Sequence, residues 1–479
     1  MKKTGLFKII MFMLIGITVA SWIFSAGYFN EGSVVAVDMY NIGFFDFFAL
    51  LFGAFKFEYF VQIFILLLSI GALYGVLGKT GKYRAWIEKI VNKLKGQELI
   101  FLIVISFVLA ALTAMFDYEL IILIFIPFII SIILSMGYDK YTALIATIGS
   151  ILVGTIGNLR GNNVSIIISD LLSTDVKTGF YYKLALAFLS LIVLVIYLSK
   201  AKRVRKTSET LENEDRFIGE KISNKYSTVP LIVIMSLLLV LMIVACTHWT
   251  DAFGITFFDD LHSKITGLSI KLPYFHVEPS KIDAGTHDVE IFARLLGTSS
   301  AFGKWSYAEM SVICIMASII IGLFYRIKGI FATMLNGAKK MFMPALMVLL
   351  AYVVLFYSGS QMFYPTMAAI ILSISSKFSI ILSTIVLIFG STLFVDTLYV
   401  ANYLVPQLAA VEGASNIVIT LLTQGIYGVV MFIAPTSALL VFGLTYLEIP
   451  YKSWIKKIWK LALALFVVVM VISLLARYL

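Results

Sequence analysis

The stretch GTIGNLRGNN, residues 154–163, interrupts an apolar region that runs from residue 141 to residue 172. Its glycines and asparagines disfavour a helix, whereas the flanking residues form apolar runs of the kind that enter a membrane. A second apolar region, 416–446, is interrupted in the same way by APTS at 434–437. Irregular backbone at membrane depth is tolerated only against protein or water. The sequence therefore predicts two broken transmembrane helices beside a polar cavity.

The composition around these breaks is that of an integral membrane protein. The 479 residues are 61% hydrophobic and 13% charged, whereas soluble chains average about 45–50% apolar and about 25% charged residues. The net charge of +10 is typical of basic cytoplasmic loops and does not require nucleic acid as a partner. The predicted fold is an all-α polytopic bundle in a lipid bilayer, with spans at 8–28, 58–78, 180–198, 229–247, 309–325, 341–357 and 461–476.

Two pairs of shorter apolar runs, at about 98–136 and 378–410, fold about polar clusters and are predicted to be re-entrant helical hairpins.

The two halves of the chain also repeat the same spacing between particular residues. In both hairpins an aspartate precedes a proline by ten residues, and at both broken helices two glycines are twelve residues apart. The matched residues are Asp117 with Pro127, Asp396 with Pro406, Gly137 with Gly149, and Gly413 with Gly425.

The charge distribution gives these halves opposite orientations. Basic loops place the N-terminus in the cytoplasm, and the acidic loop at 248–308 is predicted to lie outside. The first half is then 1–206 with an inner-facing hairpin, 207–228 is a cytoplasmic linker, and 229–479 is the second half with an outer-facing hairpin. Inverted repeats with broken helices are the construction of secondary transporters, which bind their solutes near the breaks.

The candidate binding residues lie at the two tips and the two breaks. Acids inside a membrane are costly and indicate an ion, proton or substrate site, unless the tip is solvated among headgroups. Arg160 can clamp a substrate carboxylate or neutralise Asp117 or Glu119, and both interpretations stay open. The predicted substrate- and ion-binding residues are Asp117, Glu119, Thr155, Gly157, Asn158, Arg160, Asn162, Ser391, Thr392, Asp396, Thr397, Gln424, Pro435, Thr436 and Ser437.

Catalytic and metal sites are not predicted. The sequence has no GxSxG, Walker-type or HExxH motif, and its four histidines all lie within 248–308 without a zinc-binding spacing. Cys246 and Cys314 stand in apolar runs and are expected to be buried thiols. No cofactor is predicted. A coupling ion is compatible with the sequence, because hydroxyls and carbonyls at the helix breaks suit Na⁺, and H⁺ is the alternative.

Several motifs outside the tips resemble a known family. They are GKTG at 78–81, GYD at 137–139, AFGKW at 301–305, APTSALL at 434–440 and IPYKSWIK at 449–456. With these motifs the chain is similar to the YfcC and DcuC-type anaerobic C4-dicarboxylate carriers, in the ion transporter superfamily that includes the AbgT-type carriers. The resemblance implies an inverted-repeat carrier of organic anions or amino acids, driven by Na⁺, H⁺ or exchange, and a homodimer. The family has two neighbouring glutamates at the first hairpin, and the resemblance assigns their binding role here to Glu119 alone.

The main functional hypothesis is a secondary active transporter of a small carboxylate-bearing metabolite, a C4-dicarboxylate or an amino acid, in a bacterial cytoplasmic membrane. A basic amino acid antiporter is the first alternative, because Asp117, Glu119 and Asp396 outnumber Arg160. A sensor that binds without transporting is the second. A polytopic enzyme acting on lipid-linked substrates is the third. It would need an outward-facing cluster of acids or histidines, which the loop 248–308 could supply.

Overall fold

The structure is a computed structural model that describes residues 5–30, 32–38, 41–116, 118–159, 164–204, 211–212, 214–219, 226–278, 281–297 and 300–478. In its first half, a π-helical turn joins α7 to α8, and β1 and β2 form an antiparallel hairpin. The elements of this half are α1 (Leu6–Ile23), β1 (Gly27–Asn30), β2 (Ser33–Ala36), α2 (Phe44–Gly53), α3 (Glu58–Lys79), α4 (Lys82–Lys93), α5 (Glu98–Phe116), α6 (Ile126–Ser135), α7 (Lys140–Leu144), α8 (Ser150–Ile156), α9 (Val164–Leu171) and α10 (Phe180–Ser199).

The second half is also mainly helical, with one antiparallel β-hairpin inside the predicted outer loop. Its elements are α11 (Val229–Cys246), α12 (Trp249–Phe253), α13 (Phe257–Thr266), β3 (Ser269–Glu278), β4 (Lys281–Glu290), α14 (Ile291–Leu296), α15 (Tyr307–Phe324), α16 (Ile330–Gln361), α17 (Phe363–Leu372), α18 (Ile380–Leu393), α19 (Thr397–Ala409), α20 (Asn416–Met431), α21 (Ala438–Tyr446) and α22 (Tyr451–Tyr478).

Among the described residues, eight helices are long and apolar enough to cross a membrane. Seven of them coincide with the seven predicted spans, and the eighth is α5, the first arm of the first hairpin. Both apolar regions predicted to be broken do break: α8 ends at Ile156 and α20 ends at Met431. The prediction of an all-helical polytopic fold is confirmed, and the β-hairpins are small additions to it.

The two halves repeat one order of elements. A long helix, a short helix, a hairpin, a broken helix and a closing helix follow one another as α3, α4, α5–α6, α7–α9 and α10, and again as α16, α17, α18–α19, α20–α21 and α22. Gly137 and Gly413, which the spacing paired, both adopt left-handed backbone, with φ of 94° and 77°. Each of them ends a hairpin and precedes a broken helix, where glycine allows the chain to reverse.

One group of helices packs around α3, which lies against α15 and α16. Glycines allow α3 and α16 to approach closely, because a Cβ on Gly337 would lie 2.2 Å from the carbonyl oxygen of Gly71 and 2.8 Å from Cα of Gly75. Small residues at a helix crossing are the usual means of close packing in a membrane, where no hydrophobic effect draws helices together. The contact between α3 and α16 therefore joins the two halves backbone to backbone.

The linker between the halves also packs against both of them. The guanidinium of Arg216 donates to the carbonyl oxygens of Lys340 at 2.9 Å and Thr445 at 2.8 Å, on α16 and α21. The ring of Phe217 is buried and stacks on Tyr446. We name residues 214–219 the docked linker.

We expect Arg216→Ala to destabilise the folded protein. The substitution leaves the carbonyls of Lys340 and Thr445 without their charged donor, and a hydrogen bond to a charged group contributes about 1.5–3 kcal/mol. The thermal midpoint in detergent should fall by several degrees. Arg294→Ala, which removes an exposed arginine, is the matched control and should leave the midpoint unchanged. Equal midpoints for the two variants would contradict a stabilising role of the docked linker.

Candidate functional site

The tips of the two hairpins face the same small cavity, which we name the tip cavity. It has a volume of about 80 Å³, enough for a few waters, a cation or an ammonium group. Among the described residues, each half of the chain contributes one carboxylate to it. The lining residues are Tyr59, Glu119, Leu120, Val164, Tyr307, Tyr352, Val395, Asp396, Thr397 and Tyr427.

Glu119 is positioned by the first broken helix. The hydroxyl of Thr155, in the last turn of α8, donates to Oε1 of Glu119 at 2.7 Å. The neighbouring Tyr118 is buried, its ring stacks on Phe116, and its hydroxyl contacts the hydroxyl of Thr247. The first tip is therefore held from two sides, by α8 and by the end of α11.

Asp396 is positioned by its own hairpin. It is the N-cap of α19, and its Oδ1 accepts a hydrogen bond from the amide of Leu398 at 2.9 Å, the usual role of an aspartate at this place. The second break supports the same tip, because the hydroxyl of Thr436 donates to the carbonyl oxygen of Thr392 at 2.7 Å. The second tip and the second break thus form one unit.

The two broken helices touch each other. A Cβ on Gly428 of α20 would lie 2.8 Å from the backbone nitrogen of Ile156, at the end of α8. The side-chain amide of Gln424 donates to the carbonyl oxygen of Ile156 at 3.4 Å. Across the first break, the buried Asn158 accepts a hydrogen bond from Ser165 at 2.9 Å. The side-chain amides of Gln424 and Asn158 thus form hydrogen bonds with a backbone carbonyl and a hydroxyl beside the break, where the helix no longer supplies partners.

Four tyrosines also line the tip cavity, and the sequence analysis named none of them as a binding residue. Tyr59, Tyr307 and Tyr352 make edge contacts, with ring centroids 5.6 Å and 5.8 Å from that of Tyr59. The hydroxyl of Tyr427 donates to the carbonyl oxygen of Val395 at 2.5 Å. Tyrosine combines an aromatic ring with a polar hydroxyl, so these residues suit a cavity that takes a polar or cationic group.

The predicted site residues fall into four groups. Glu119, Asp396 and Thr397 line the tip cavity. Thr155, Asn158, Thr392, Gln424 and Thr436 support the tips and breaks through the contacts above, whereas Gly157, Ser391, Pro435 and Ser437 are buried or packed elsewhere and do not line it. The predicted residues that lie outside the described part of the chain are Asp117, Arg160 and Asn162.

Comparison with known proteins places this fold in a family. The model of the C4-dicarboxylate anaerobic carriers, DcuC, matches residues 4–478. The chain belongs to the DcuC family. No curated protein matches the chain. Among solved structures, the YdaH transporter of Alcanivorax borkumensis is similar over 98% of each chain, with 11% sequence identity and a TM-score of 0.43. The match to the family model confirms the expected resemblance to the DcuC-type carriers.

The described lining of the tip cavity is acidic. Its described lining contains two carboxylates, Glu119 and Asp396, and no lysine or arginine. Two carboxylates in one small cavity repel each other unless a proton or another cation lies between them. The carboxylates and tyrosines of the described lining can hold a proton, a metal cation or an ammonium group.

Proposed function

We propose that this chain is a secondary active carrier that binds the ammonium group of an amino acid in the tip cavity. The observation that carries the proposal is the pairing of Glu119 and Asp396, one from each half, among four tyrosine rings. Carboxylates pair with an ammonium through charge-assisted hydrogen bonds, and aromatic rings attract cations through their faces. A basic amino acid, with a second cationic group, fits this charge best.

Membership in a carrier family supports transport as the activity, and a second candidate follows from the family's description. In that candidate the solute is a C4-dicarboxylate, and Glu119 with Asp396 binds the coupling H⁺ or Na⁺. The pair of carboxylates then serves the driving ion and not the solute. The two candidates differ in whether an imposed ion gradient drives uptake.

The test is uptake into proteoliposomes that contain the purified full chain. We expect labelled arginine or ornithine to enter vesicles preloaded with unlabelled amino acid, without any requirement for a Na⁺ or pH gradient. Unlabelled succinate should not compete. Gradient-dependent uptake of succinate, with no uptake of either amino acid, would overturn the proposal in favour of the dicarboxylate carrier. Binding of arginine without flux would identify a sensor.

A further inference from the structure

The first turns of α22, which the motif IPYKSWIK begins, have one buried face and one basic face. Trp454 and Ile458 bury the first face against the protein. The lysines of the other face are exposed, and none of them lies within ion-pair distance of a carboxylate of the described residues. These lysines are Lys452, Lys456, Lys457 and Lys460.

The end of α10, in the other half of the chain, meets these turns. The hydroxyl of Tyr197 donates to the carbonyl oxygen of Lys457 at 2.9 Å. Nζ of Lys457 lies 5.9 Å from the ring centroid of Tyr141, in the first turn of the first broken helix. Two further exposed lysines follow Tyr197 by three and five residues. We name the combined group the basic seam: Lys200, Lys202, Lys456, Lys457 and Lys460.

The acids beside the basic seam already have partners. Asp139, which lies near Tyr197, is the N-cap of α7 and accepts a hydrogen bond from the amide of Thr142 at 2.7 Å. Glu98 forms an ion pair with Arg203, the residue after Lys202. Among the described residues, the basic seam is therefore a patch of like charges that stays without an anionic partner.

Exposed apolar side chains continue the basic face of α22 along the helix. Leu463 and Val467 follow Lys456 and Lys460 at helical spacing, so they share one face. Trp459 stands between the two parts, with Nζ of Lys460 5.5 Å from its ring centroid. A second exposed row runs along α10 from the same end: Ile196, Ile192 and Phe188.

This order of charge followed by apolar surface matches a phospholipid with a negative headgroup. Clustered lysines at the end of a membrane helix attract the phosphate of anionic lipids, and tryptophan is enriched at the level of the headgroups. Because Tyr197 joins the basic ends of α10 and α22, the two apolar rows run from that end in the same direction. Acyl chains can lie along these rows, whereas a soluble anion would contact only the lysines.

We propose that the basic seam and the two apolar rows bind one anionic phospholipid between α10 and α22. The lipid joins the two halves close to both broken helices. Tyr141 belongs to the first of them, and the indole of Trp454, three residues before Lys457, donates to the carbonyl oxygen of Phe432 at the end of α20 at 2.8 Å. The site does not depend on which solute the tip cavity takes.

The experiment measures quenching of tryptophan fluorescence by brominated lipids, with the full chain in nanodiscs of phosphatidylcholine. Trp459 is the reporter, because it is exposed between the lysines and the apolar row. Its share of the signal is the quenching that disappears in Trp459→Phe. Brominated phosphatidylglycerol should quench Trp459 at a mole fraction about tenfold lower than brominated phosphatidylcholine requires.

A triple variant that replaces Lys456, Lys457 and Lys460 with glutamine removes the charge of the basic seam on α22. It should require about tenfold more phosphatidylglycerol for the same quenching of Trp459, because each lysine near the headgroups adds to the attraction. The contact with α10 should survive, since Tyr197 donates to the backbone of residue 457 and not to its side chain.

The matched control removes the same charge elsewhere on the same side of the molecule. It replaces three exposed lysines at the end of α4 with glutamine. The side is the same because the docked linker contacts both Gly78, ahead of α4, and Glu448, ahead of α22. The control should bind phosphatidylglycerol as wild type does. Its lysines are Lys89, Lys93 and Lys95.

Three results would overturn the inference. Equal quenching of Trp459 by the two brominated lipids would show that the surface does not select an anionic headgroup. Equal losses in the two triple variants would show a diffuse attraction of the charged surface and no site. Complete displacement of the lipid by soluble glycerol phosphate would show that the lysines bind a phosphate without its acyl chains. None of these measurements uses transport, so failure of amino acid exchange and failure of this lipid site are separate outcomes.

Discussion

Glu119→Gln should lower amino acid exchange by about 10-fold to 100-fold, because a hydrogen bond to a charged partner contributes about 1.5–3 kcal/mol. Glutamine keeps an oxygen that accepts from Thr155, so the contact of the tip with α8 survives while the negative charge is lost. Asp396→Asn is the corresponding variant at the second tip. Asparagine caps a helix as well as aspartate does, so α19 should stay intact.

The measurement is counterflow of labelled arginine in proteoliposomes, with thermal midpoints measured on the same preparations. Glu58→Gln is the matched control, since Glu58 is exposed beside the lining residue Tyr59 and accepts a hydrogen bond from Gln62 on its own helix. The control should exchange at the rate of wild type. If Glu119→Gln and Asp396→Asn both exchanged normally with unchanged midpoints, the tip cavity would not be the solute site.

Gly337→Val should cause the largest loss of stability of any substitution considered. The new side chain would meet the backbone of Gly71 and Gly75, and a backbone cannot rotate away as a side chain can. Overpacking a core costs about 1–3 kcal/mol and occasionally more. Because the clash separates α3 from α16, we expect aggregation or loss of the monodisperse peak in size-exclusion chromatography.

Gly359→Ala is the control in the same helix. Apart from its own helix backbone, no atom of the described residues lies within 4 Å of a Cβ built at Gly359, and alanine favours a helix over glycine by about 1 kcal/mol. The control should therefore keep its elution profile and melt at or slightly above the wild-type midpoint. A monodisperse Gly337→Val variant with an unchanged midpoint would show that the close crossing of α3 and α16 is not required.

The spans and breaks could be predicted because the bilayer imposes a length and a polarity on the sequence. Residues 229–247 read as a span from hydropathy alone, and the helix observed is Val229–Cys246. The separation of α17 from α16 was not predicted. It rests on Met362, whose φ of 43° turns the chain between two apolar helices, and apolar runs on both sides of a methionine give no signal of a turn.

The acids of the candidate site were predictable, whereas its tyrosines were not. A carboxylate such as Glu119 within apolar sequence is expensive and therefore conspicuous. Tyr59, Tyr352 and Tyr427 stand in apolar runs where tyrosine is unremarkable, among 24 tyrosines in the chain. Only the tertiary fold brings positions so distant in the sequence to one cavity.

The docked linker affects how the gene can be divided. Arg216 and Phe217 contact helices of the second half, and Gly219 lies against the carbonyl oxygen of Gly78 in the first half. If the two halves were coexpressed as separate polypeptides, the docked linker would form part of the contact between them, whichever fragment contains it. A cut before Glu214 leaves the docked linker on the downstream fragment, where it can contact Gly78 of the upstream fragment. A cut after Gly219 removes Arg216 from the downstream fragment, whose carbonyls at Lys340 and Thr445 then lose their donor until the two fragments associate.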